Sequence, residues 1–291
     1  MDHDGALEYL ENLGNEVLAM KLGLENIRSV LSRLGNPQEA FPAILIAGTN
    51  GKGSVARFVH GILKEGGLSV GLFTSPHLIH VEERIVVNEE RITPAKFAAA
   101  LTEVAETVGQ LGWEHHPTYF ETITATALLA FEDQEIDVAV LEVGMGGRLD
   151  STNVYDRPLL SIITPIGMDH QAYLGNRIEE IAGEKAGIVH RGTPVLSAIQ
   201  RPEAAEVIRA KAEELDAPLD VIDLSELQAQ TAEDGRYAFV YRDAEYQLSV
   251  YGQHQVQNAC LAIEAVRILR DRFPIFGREI QAGVAKTRHP A

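Results

Sequence analysis

The sequence is poor in cysteine and in basic residues, and it has no apolar run long enough to cross a membrane. Cys260 is the single cysteine, which excludes an intrachain disulfide and favours a reducing compartment. The 25 Lys and Arg residues are outnumbered by 42 Asp and Glu, giving a formal net charge of −17. Such a charge opposes binding to a nucleic-acid backbone or an anionic membrane. We therefore expect a cytoplasmic protein with no nucleic-acid or membrane partner.

The length and the apolar pattern favour one α/β core. The chain has 291 residues, of which 45% are hydrophobic and 23% charged, as in ordinary globular proteins. No repeat or low-complexity tract interrupts it. Short apolar runs that alternate with helical segments predict a mostly parallel sheet flanked by helices. The strands are expected near residues 43–46, 68–73, 137–143, 159–163 and 193–196.

Helix and hairpin signals complete the predicted fold. Apolar spacing predicts two helices in the first forty residues, one of them including Val17 and Leu18. Thr93 and Pro94 predict the start of a helix of about four turns, and residues 119–131 predict another. From 237 to 250 the apolar period changes to two, which predicts an antiparallel hairpin that turns near Arg242 and Asp243.

The first predicted strand leads into a glycine-rich turn that contains a lysine and a serine, and a helical segment follows. A strand, a glycine turn and a helix N-terminus are the context of a phosphate-binding loop, in which backbone N–H groups and a lysine surround phosphate oxygens. The spacing departs from the standard motif, because Ile46 stands where a glycine is expected and Gly53 directly follows the lysine. A glycine-rich turn with an incidental lysine is the alternative. The candidate residues are Gly48, Thr49, Asn50, Gly51, Lys52, Gly53 and Ser54.

Further polar residues follow the other predicted strands, at the edge where open α/β sheets bind ligands. Ser75 follows the second strand, and Glu142 closes the third. An acid in that position suits magnesium opposite the phosphates, although it could instead cap the glycine turn 144–147. His170, beside Asp169, follows the fourth strand. Most of the ten histidines, including His60, His115, His116 and His190, are expected on the surface or in packing, so His170 alone is a weak signal.

Six segments then resemble a known family. They are GTNGKGS at 48–54, TSPHL at 74–78 with ERI at 83–85, LEVGMGGRLDSTNV at 141–154, MDHQAYLG at 168–175, EKAGI at 184–188 and HQVQNA at 254–259. In this order they are similar to folylpolyglutamate synthase and dihydrofolate synthase, of the Mur ligase superfamily. The resemblance implies a P-loop NTPase-like Mur ligase ATPase domain. It also implies an ATP-dependent ligase that joins L-glutamate to a folate or dihydropteroate carboxylate through an acyl phosphate.

The resemblance also implies roles for individual residues. Lys52, Lys185 and His170 would be catalytic, and Asn258 would join residues 48–54 in binding nucleotide. Two Mg²⁺ ions would be held by Ser54, Ser75, Glu142 and His170. Lys185 matches a lysine that this superfamily often carries as a carbamate; from its residues alone it fits a solvated lysine or an ordinary salt bridge equally well. Asn258 has a solvent-facing amide as its alternative. Ser75, Pro76, His77 and Arg84 would belong to a loop that frames the folate site.

The expected partners are small molecules: ATP, L-glutamate and either dihydropteroate or a reduced folate. The family suggests a monomer. Family members continue into a smaller C-terminal domain through a proline-glycine-arginine segment, of which Pro290 matches the proline while Ala291 replaces the glycine. We therefore expect residues 1–291 to be the ATP-binding domain of a longer enzyme or a truncated form. A noncatalytic nucleotide-binding module is the alternative function. A Mur-type ligase of peptidoglycan precursors is another, against which the TSPHL segment speaks.

Overall fold

The computed structural model describes residues 1–14, 23–111, 116–231 and 235–288. Its strands are β1 (Ala43–Ala47), β2 (Val70–Phe73), β3 (Ile85–Val87), β4 (Glu90–Arg91), β5 (Val138–Glu142), β6 (Leu160–Ile163), β7 (Val195–Ser197), β8 (Leu219–Val221), β9 (Gln228–Thr231), β10 (Arg236–Tyr241) and β11 (Ala244–Tyr251). Its α-helices are α1 (His3–Asn12), α2 (Glu25–Arg33), α3 (Lys52–Glu65), α4 (Pro94–Gly109), α5 (Tyr119–Asp133), α6 (Gln171–Leu174), α7 (Ile178–Lys185), α8 (Pro202–Glu214), α9 (His254–Ile268) and α10 (Gly277–Lys286).

Eight strands form one mixed sheet in the order β4-β3-β2-β5-β1-β6-β7-β8. The six strands from β2 to β8 in this order run parallel, whereas β3 and β4 continue the sheet in antiparallel fashion beyond β2. The five predicted strands and the mostly parallel sheet are confirmed. The sequence pattern missed β3, β4 and β8. The last two are short and largely exposed edge strands, so they have no apolar run that could reveal them.

The central strand β1 is buried on both faces, which explains its uninterrupted apolar sequence. Ala43 and Leu45 contribute to a core formed with α1, α2, α4, α5, α7 and α8. Ile44 and Ile46 point to the opposite core, formed with α3, α9, α10 and a second, smaller sheet. Burial of each Leu or Ile side chain contributes about 1.5–3 kcal/mol, so this strand fixes the middle of the fold.

The smaller sheet has the order β11-β10-β9 and contains the predicted hairpin. Arg242 and Asp243 connect β10 to β11 with φ angles of 52° and 61°, as a two-residue hairpin turn of the primed type requires. The hairpin is therefore confirmed, and its apolar face packs in the same core as α9 and α10. The sequence did not reveal β9, whose side chains are all exposed.

The predicted helices are also confirmed where the structure describes them. The hydroxyl of Thr93 accepts a hydrogen bond from Lys96 N at 3.3 Å and caps α4, which begins at Pro94. Helices α1 and α2 match the two helices expected near the start, and α5 covers residues 119–131. The expectations for Val17, Leu18, His115, Pro290 and Ala291 lie outside the described residues. Among the described helices, none combines the length and the apolar character that a membrane span needs.

Candidate active site

The glycine loop after β1 is held in place by close packing and by backbone hydrogen bonds. A side chain at Gly48, where φ is 148°, would collide with the hydroxyl of Thr164. The backbone N–H groups of Thr49 and Asn50 donate to Pro165 O at 3.1 and 3.3 Å, which ties the loop to the end of β6. The hydroxyl of Thr49 also donates to Gly167 O at 3.1 Å. The N–H groups of Thr49 and Asn50 are therefore used to hold the loop in shape. Hydrogen bonds to a phosphate would have to come from other N–H groups.

Those donors are at the N-terminus of α3. Gly51 is its N-cap, with a φ of 85° and no side-chain cap, and the first helical hydrogen bond runs from Val55 N to Gly51 O at 2.9 Å. The N–H groups of the first turn precede that bond, so they have no carbonyl partner within the helix. No acidic residue lies in the turn, and Lys52 and Ser54 are half-buried there. The predicted strand–loop–helix context is confirmed, and it has the donors and the positive potential of an anion site.

Glu142 closes β5 and faces the start of α3. Its side chain is only 5% exposed, and its Oε2 accepts a hydrogen bond from Ser75 N at 3.0 Å. Burial raises the pKa of this carboxyl to about 6, against the opposing effects of Lys52, of Arg57 and of hydrogen bonds from the backbone of Ser75 and Gly53. The acid is therefore a buried group whose charge the protein alone stabilises poorly.

The alternative role for Glu142, as a cap of the glycine turn after β5, is wrong because another carboxylate serves that turn. Asp150 accepts a hydrogen bond from Met145 N at 2.9 Å, and its Oδ1 accepts from the hydroxyl of Thr152 at 2.6 Å. Burial raises the pKa of Asp150 too. The sequence reasoning did not single out Asp150, although it lies within one of the six segments.

Lys185 is buried and directly contacts the glycine loop. It is 2% exposed, and its Nζ donates to Gly48 O at 2.7 Å. Its pKa is lowered to about 8, first by burial and then by the positive charge of Lys52, against the influence of Asp169 and Asp150. A solvated lysine or a surface salt bridge is therefore the wrong interpretation. Its neighbour Glu184 makes the surface pair instead, at 2.9 Å from Arg148.

Two side-chain amides of α9 lie against the glycine loop, on the face of the sheet that also carries α3. Gln255 Nε2 donates to Ser54 Oγ at 3.3 Å, and Asn258 Nδ2 donates to Gln255 Oε1 at 3.0 Å. A Cβ at Gly51 would lie 2.6 Å from Asn258 Oδ1. Both amides are buried, so the solvent-facing alternative for Asn258 is wrong. Gln255 was missed, although it lies three residues before Asn258 on the same helix face.

His170 lies at the rim of this region. It has a φ of 46°, its side chain is 43% exposed, and its Nε2 lies 3.4 Å from Asp169 Oδ1. Within the described ranges, His, Cys, Asp and Glu side chains form no group of three that could hold a metal ion. The role of His170 as a ligand of a second metal ion therefore stays a prediction.

The segment after β2 is an internally braced loop. Glu83 accepts hydrogen bonds from the backbone N–H groups of Leu78, Ile79 and His80 at 2.8, 3.0 and 2.7 Å, and these bonds lower its pKa to about 2. Arg84, which is 1% exposed, donates from Nε to His77 Nδ1 at 2.8 Å.

The predicted members of this loop differ in exposure. Pro76 is exposed, and it follows Ser75, whose N–H is bonded to Glu142. Arg84 lies inside, with its Cζ 5.7 Å from the centre of the Tyr119 ring. Buried in this way, it supports the loop and is not displayed on its surface.

Comparison with known proteins connects this geometry to a family. The family model of the Mur ligase middle domain matches residues 46–266. The dihydrofolate synthase/folylpolyglutamate synthase of Bacillus subtilis is 39% identical over 288 residues, covering 95% of this chain and 67% of that protein. A folylpolyglutamate synthase structure from Mycobacterium tuberculosis, complexed with ADP and AMPPCP, superposes with a TM-score of 0.87 at 36% identity, covering 99% of this chain and 67% of that one.

A further structure, an FPGS–AMPPCP–folate complex, has a TM-score of 0.91 and 32% identity, covering 100% of this chain and 73% of that one. The chain is shorter than such proteins. It spans 67% of the Bacillus subtilis relative, 65% of a Schizosaccharomyces pombe relative and 60% of a Mycobacterium tuberculosis relative.

Proposed function

The chain belongs to the Mur ligase superfamily, in its branch of dihydrofolate and folylpolyglutamate synthases, and we propose that it uses ATP to join L-glutamate to a folate or dihydropteroate carboxylate. One observation carries the proposal: the first turn of α3, whose N–H groups have no carbonyl partner within the helix, lies beside two buried charged groups, Glu142 and Lys185. The relatives named above include complexes with ADP, AMPPCP and folate, which supports the same classes of ligand here.

In this proposal the phosphates of ATP lie against the glycine loop. The N–H groups at the start of α3 and the ammonium of Lys52 offset the phosphate charge, as at other helix N-termini. Gly48 and Gly51 let the loop pack directly against Thr164 and Asn258, where a side chain would collide. Asn258 lies next to Gly51 and is the proposed contact for the base of the nucleotide.

The oxygen donors of the site fit magnesium. Glu142 supplies a carboxylate whose charge burial disfavours, so a divalent cation would relieve an existing cost. Ser54 and Ser75 supply the proposed hydroxyl ligands, and phosphate oxygens and water complete the shell that Mg²⁺ prefers. When bound, Mg²⁺ neutralises phosphate charge and polarises the phosphoryl group. We propose His170 as a ligand of a second ion.

The proposed reaction has two steps. A carboxylate oxygen of the folate or pteroate attacks the γ-phosphorus of ATP, and the bond to the bridging oxygen breaks to give an acyl phosphate and ADP. The amine of glutamate then attacks the acyl carbon, loses a proton, and expels inorganic phosphate to form the amide. All three substrates are anionic, so the protein contributes chiefly charge neutralisation by Lys52 and positioning of the reacting groups.

Lys185 is the proposed carbamylation site. Carbamate formation joins the neutral amine to CO₂ and releases one proton, so it needs a lysine with a lowered pKa. A pKa of about 8 leaves roughly a tenth of the amine neutral at pH 7. With labelled bicarbonate, carbon NMR should show a carbamate signal that is absent from Lys185→Ala. A spectrum without the signal, together with turnover indifferent to bicarbonate, would contradict this proposal.

The organisation around the site is also a proposal. We propose that residues 1–291 act as the ATP-binding domain, that the protein is a cytoplasmic monomer, and that ligation needs enclosure by residues corresponding to the remaining third of the relatives. Enclosure matters because an open site exposes the acyl phosphate to water. A noncatalytic nucleotide-binding module is the second candidate, because the glycine loop and the N-terminus of α3 would serve nucleotide binding without ligation equally well.

Separate measurements of binding and ligation test these proposals on residues 1–291. ATP binding is titrated with and without Mg²⁺. Amide formation is followed with ATP, labelled glutamate and either dihydropteroate or a reduced folate, first with residues 1–291 alone and then with a segment corresponding to the remaining third of the relatives added. Magnesium-dependent ATP binding, with amide product once that segment is added, supports the ligase. Binding without product in both assays supports the module, and failure of ATP to bind in either condition contradicts both.

A further inference from the structure

The glycine loop packs against the turn that follows β6, residues 164–167, which we call the β6 turn. Thr49 N and Asn50 N donate hydrogen bonds to Pro165 O at 3.1 and 3.3 Å. In the opposite direction, Gly167 N donates to Thr49 Oγ1 at 3.1 Å. Backbone N–H groups of both segments therefore join the loop to the β6 turn, and the shape of the loop depends on the position of the turn.

Close packing adds to these hydrogen bonds. Thr164 is fully buried, and a Cβ at Gly48 would lie 3.0 Å from Thr164 O. The carbonyl of Gly48 in turn accepts the hydrogen bond from Lys185. Beyond the β6 turn the chain continues to Asp169 and His170, and His170 is the proposed ligand of a second ion. Because protein interiors are closely packed, a displacement of the β6 turn would be transmitted to the loop and to these groups together.

One side chain, Gln200, holds the β6 turn with both ends of its amide. Its Oε1 accepts a hydrogen bond from Ile166 N at 2.9 Å, and its Nε2 donates to Thr164 O at 3.0 Å. The same Nε2 lies 3.3 Å from Ser197 Oγ, at the end of β7. A glutamine amide has one acceptor oxygen and one donor NH₂ group, so both functional groups are used here. Gln200 thus connects the ends of β6 and β7.

The place of Gln200 in the chain gives no indication of this arrangement. It is half-buried and lies between β7 and α8, outside the six segments that carry the family resemblance. Its exposed neighbours Ile199 and Arg201 point away from the sheet core. The contact between Gln200 and the β6 turn depends on the parallel pairing of β6 with β7, which brings their carboxyl ends to the same edge.

We propose that Gln200 is a positioning residue, which fixes the β6 turn and through it holds the glycine loop in the shape that surrounds the phosphates of ATP. It acts without touching the nucleotide. A loop that is already ordered loses less conformational freedom when the ligand binds, so the free energy of binding is more favourable. The part of this inference that concerns ATP rests on the proposed function, whereas the effect of Gln200 on the loop does not require a nucleotide.

The first test is amide hydrogen exchange, followed by NMR on the nucleotide-free protein. Gln200→Met keeps the length of the side chain and removes its polar atoms. The N–H groups of Thr49 and Asn50, which do not contact Gln200, should exchange roughly threefold to tenfold faster than in the wild type, as expected when about one net hydrogen bond is lost. The N–H of Leu128, inside α5, reports opening of the whole fold and should be unchanged.

The matched control is Gln281→Met. Gln281 is also half-buried, and its Nε2 donates to a backbone carbonyl, that of Glu245, at 2.9 Å. It joins α10 to β11, so the same substitution there removes a comparable bond without touching the β6 turn. Exchange at Thr49 and Asn50 should remain as in the wild type.

The second test is calorimetric titration of the same proteins with ATP and Mg²⁺. Affinity should fall roughly threefold to tenfold in Gln200→Met and stay unchanged in Gln281→Met. Circular dichroism checks folding; if Gln200→Met does not fold, Gln200→Asn takes its place, since its shorter amide cannot span Ile166 N and Thr164 O.

Unchanged exchange at Thr49 and Asn50 in the Gln200 variant would overturn the proposal. Faster exchange there with wild-type ATP affinity would likewise refute the positioning role. If the wild type itself binds no ATP, the proposed function fails, and the exchange rates alone then decide whether Gln200 holds the loop.

Discussion

Glu142 and Lys185 are two buried charged groups beside the same loop, yet different structural elements position them there. Glu142 ends β5, which pairs with β1 so that Glu142 lies opposite Ile46. Strand pairing alone therefore brings the acid next to the loop that follows β1. Lys185 ends α7 and bonds to Gly48 O from 137 residues away. The position of the lysine depends on how a helix packs over the sheet.

The two groups also show one shared effect of burial. It raises the pKa of Glu142 to about 6 and lowers that of Lys185 to about 8, so it disfavours the charged form of each. The free-energy cost of burying these two charges falls at the edge of the sheet where bound phosphates and cations could offset it. Four variants test how far the comparison holds.

Lys185→Met should produce the largest change, seen in the pH dependence of stability. The folded pKa of about 8 lies below the ordinary value of 10.5, so between these pH values the unfolded chain binds a proton that the folded chain has lost. The unfolding free energy of the wild type should therefore gain up to about 3 kcal/mol from pH 8 to 10.5 relative to the variant. Urea denaturation across this range measures it. Lys96→Met, at an exposed site on α4, is the control, and parallel curves for wild type and Lys185→Met would disprove the burial effect.

Lys52→Ala should weaken binding of ATP with Mg²⁺ by about 1.5–3 kcal/mol, since a charge-assisted contact to phosphate is lost. Isothermal titration calorimetry measures the change. Lys64→Ala, on the same helix but paired with Glu65 and Glu89, removes the same charge away from the loop and should have little effect. Equal losses in both variants would show that only the overall charge matters.

Glu142→Gln should stabilise the fold at neutral pH and abolish magnesium-dependent nucleotide hydrolysis. The folded pKa of about 6 exceeds the ordinary 4.5, so the wild type should lose about 2 kcal/mol of unfolding free energy as pH rises from 4.5 to 6. The variant lacks this loss, because its amide does not titrate. Denaturation at pH 4.5 and 7 measures the difference, with Glu103→Gln on α4 as the exposed control. Magnesium-dependent turnover that survives in Glu142→Gln would rule out its role as a ligand.

Asn258→Ala should have the smallest effect, about 1 kcal/mol of unfolding free energy, since it removes a buried hydrogen bond to Gln255. ATP affinity should fall less than in Lys52→Ala, because no charge is lost. Thermal denaturation and calorimetry measure the two effects. Gln257→Ala, an exposed neighbour on α9, is the control, and an unchanged ATP affinity in Asn258→Ala would exclude the proposed contact with the base.

The sequence predicted the parts of the fold that have strong local patterns. The uninterrupted apolar run of β1, the Thr93 cap and the period-two hairpin each correspond to observed elements. It missed β4 and β9, whose exposed side chains leave no apolar pattern. It also missed Gln255, because the bond from Gln255 to Ser54 depends on which surfaces meet in space. Asp150 was missed for another reason: its bonds to Met145 and Thr152 are local, but they belong to an irregular turn that no apolar period or cap marks.

The sequence by itself determined the strand, the glycine loop and the helix, because φ angles, helix caps and apolar periods are local properties. It also placed Glu142 near the loop, since parallel neighbouring strands bring their carboxyl ends to one edge. Only the tertiary structure decided that Lys185 is buried and bonded to Gly48 O, and that Arg84 supports its loop from inside. The reason is that burial depends on the packing of segments far apart in the chain, which no local pattern encodes.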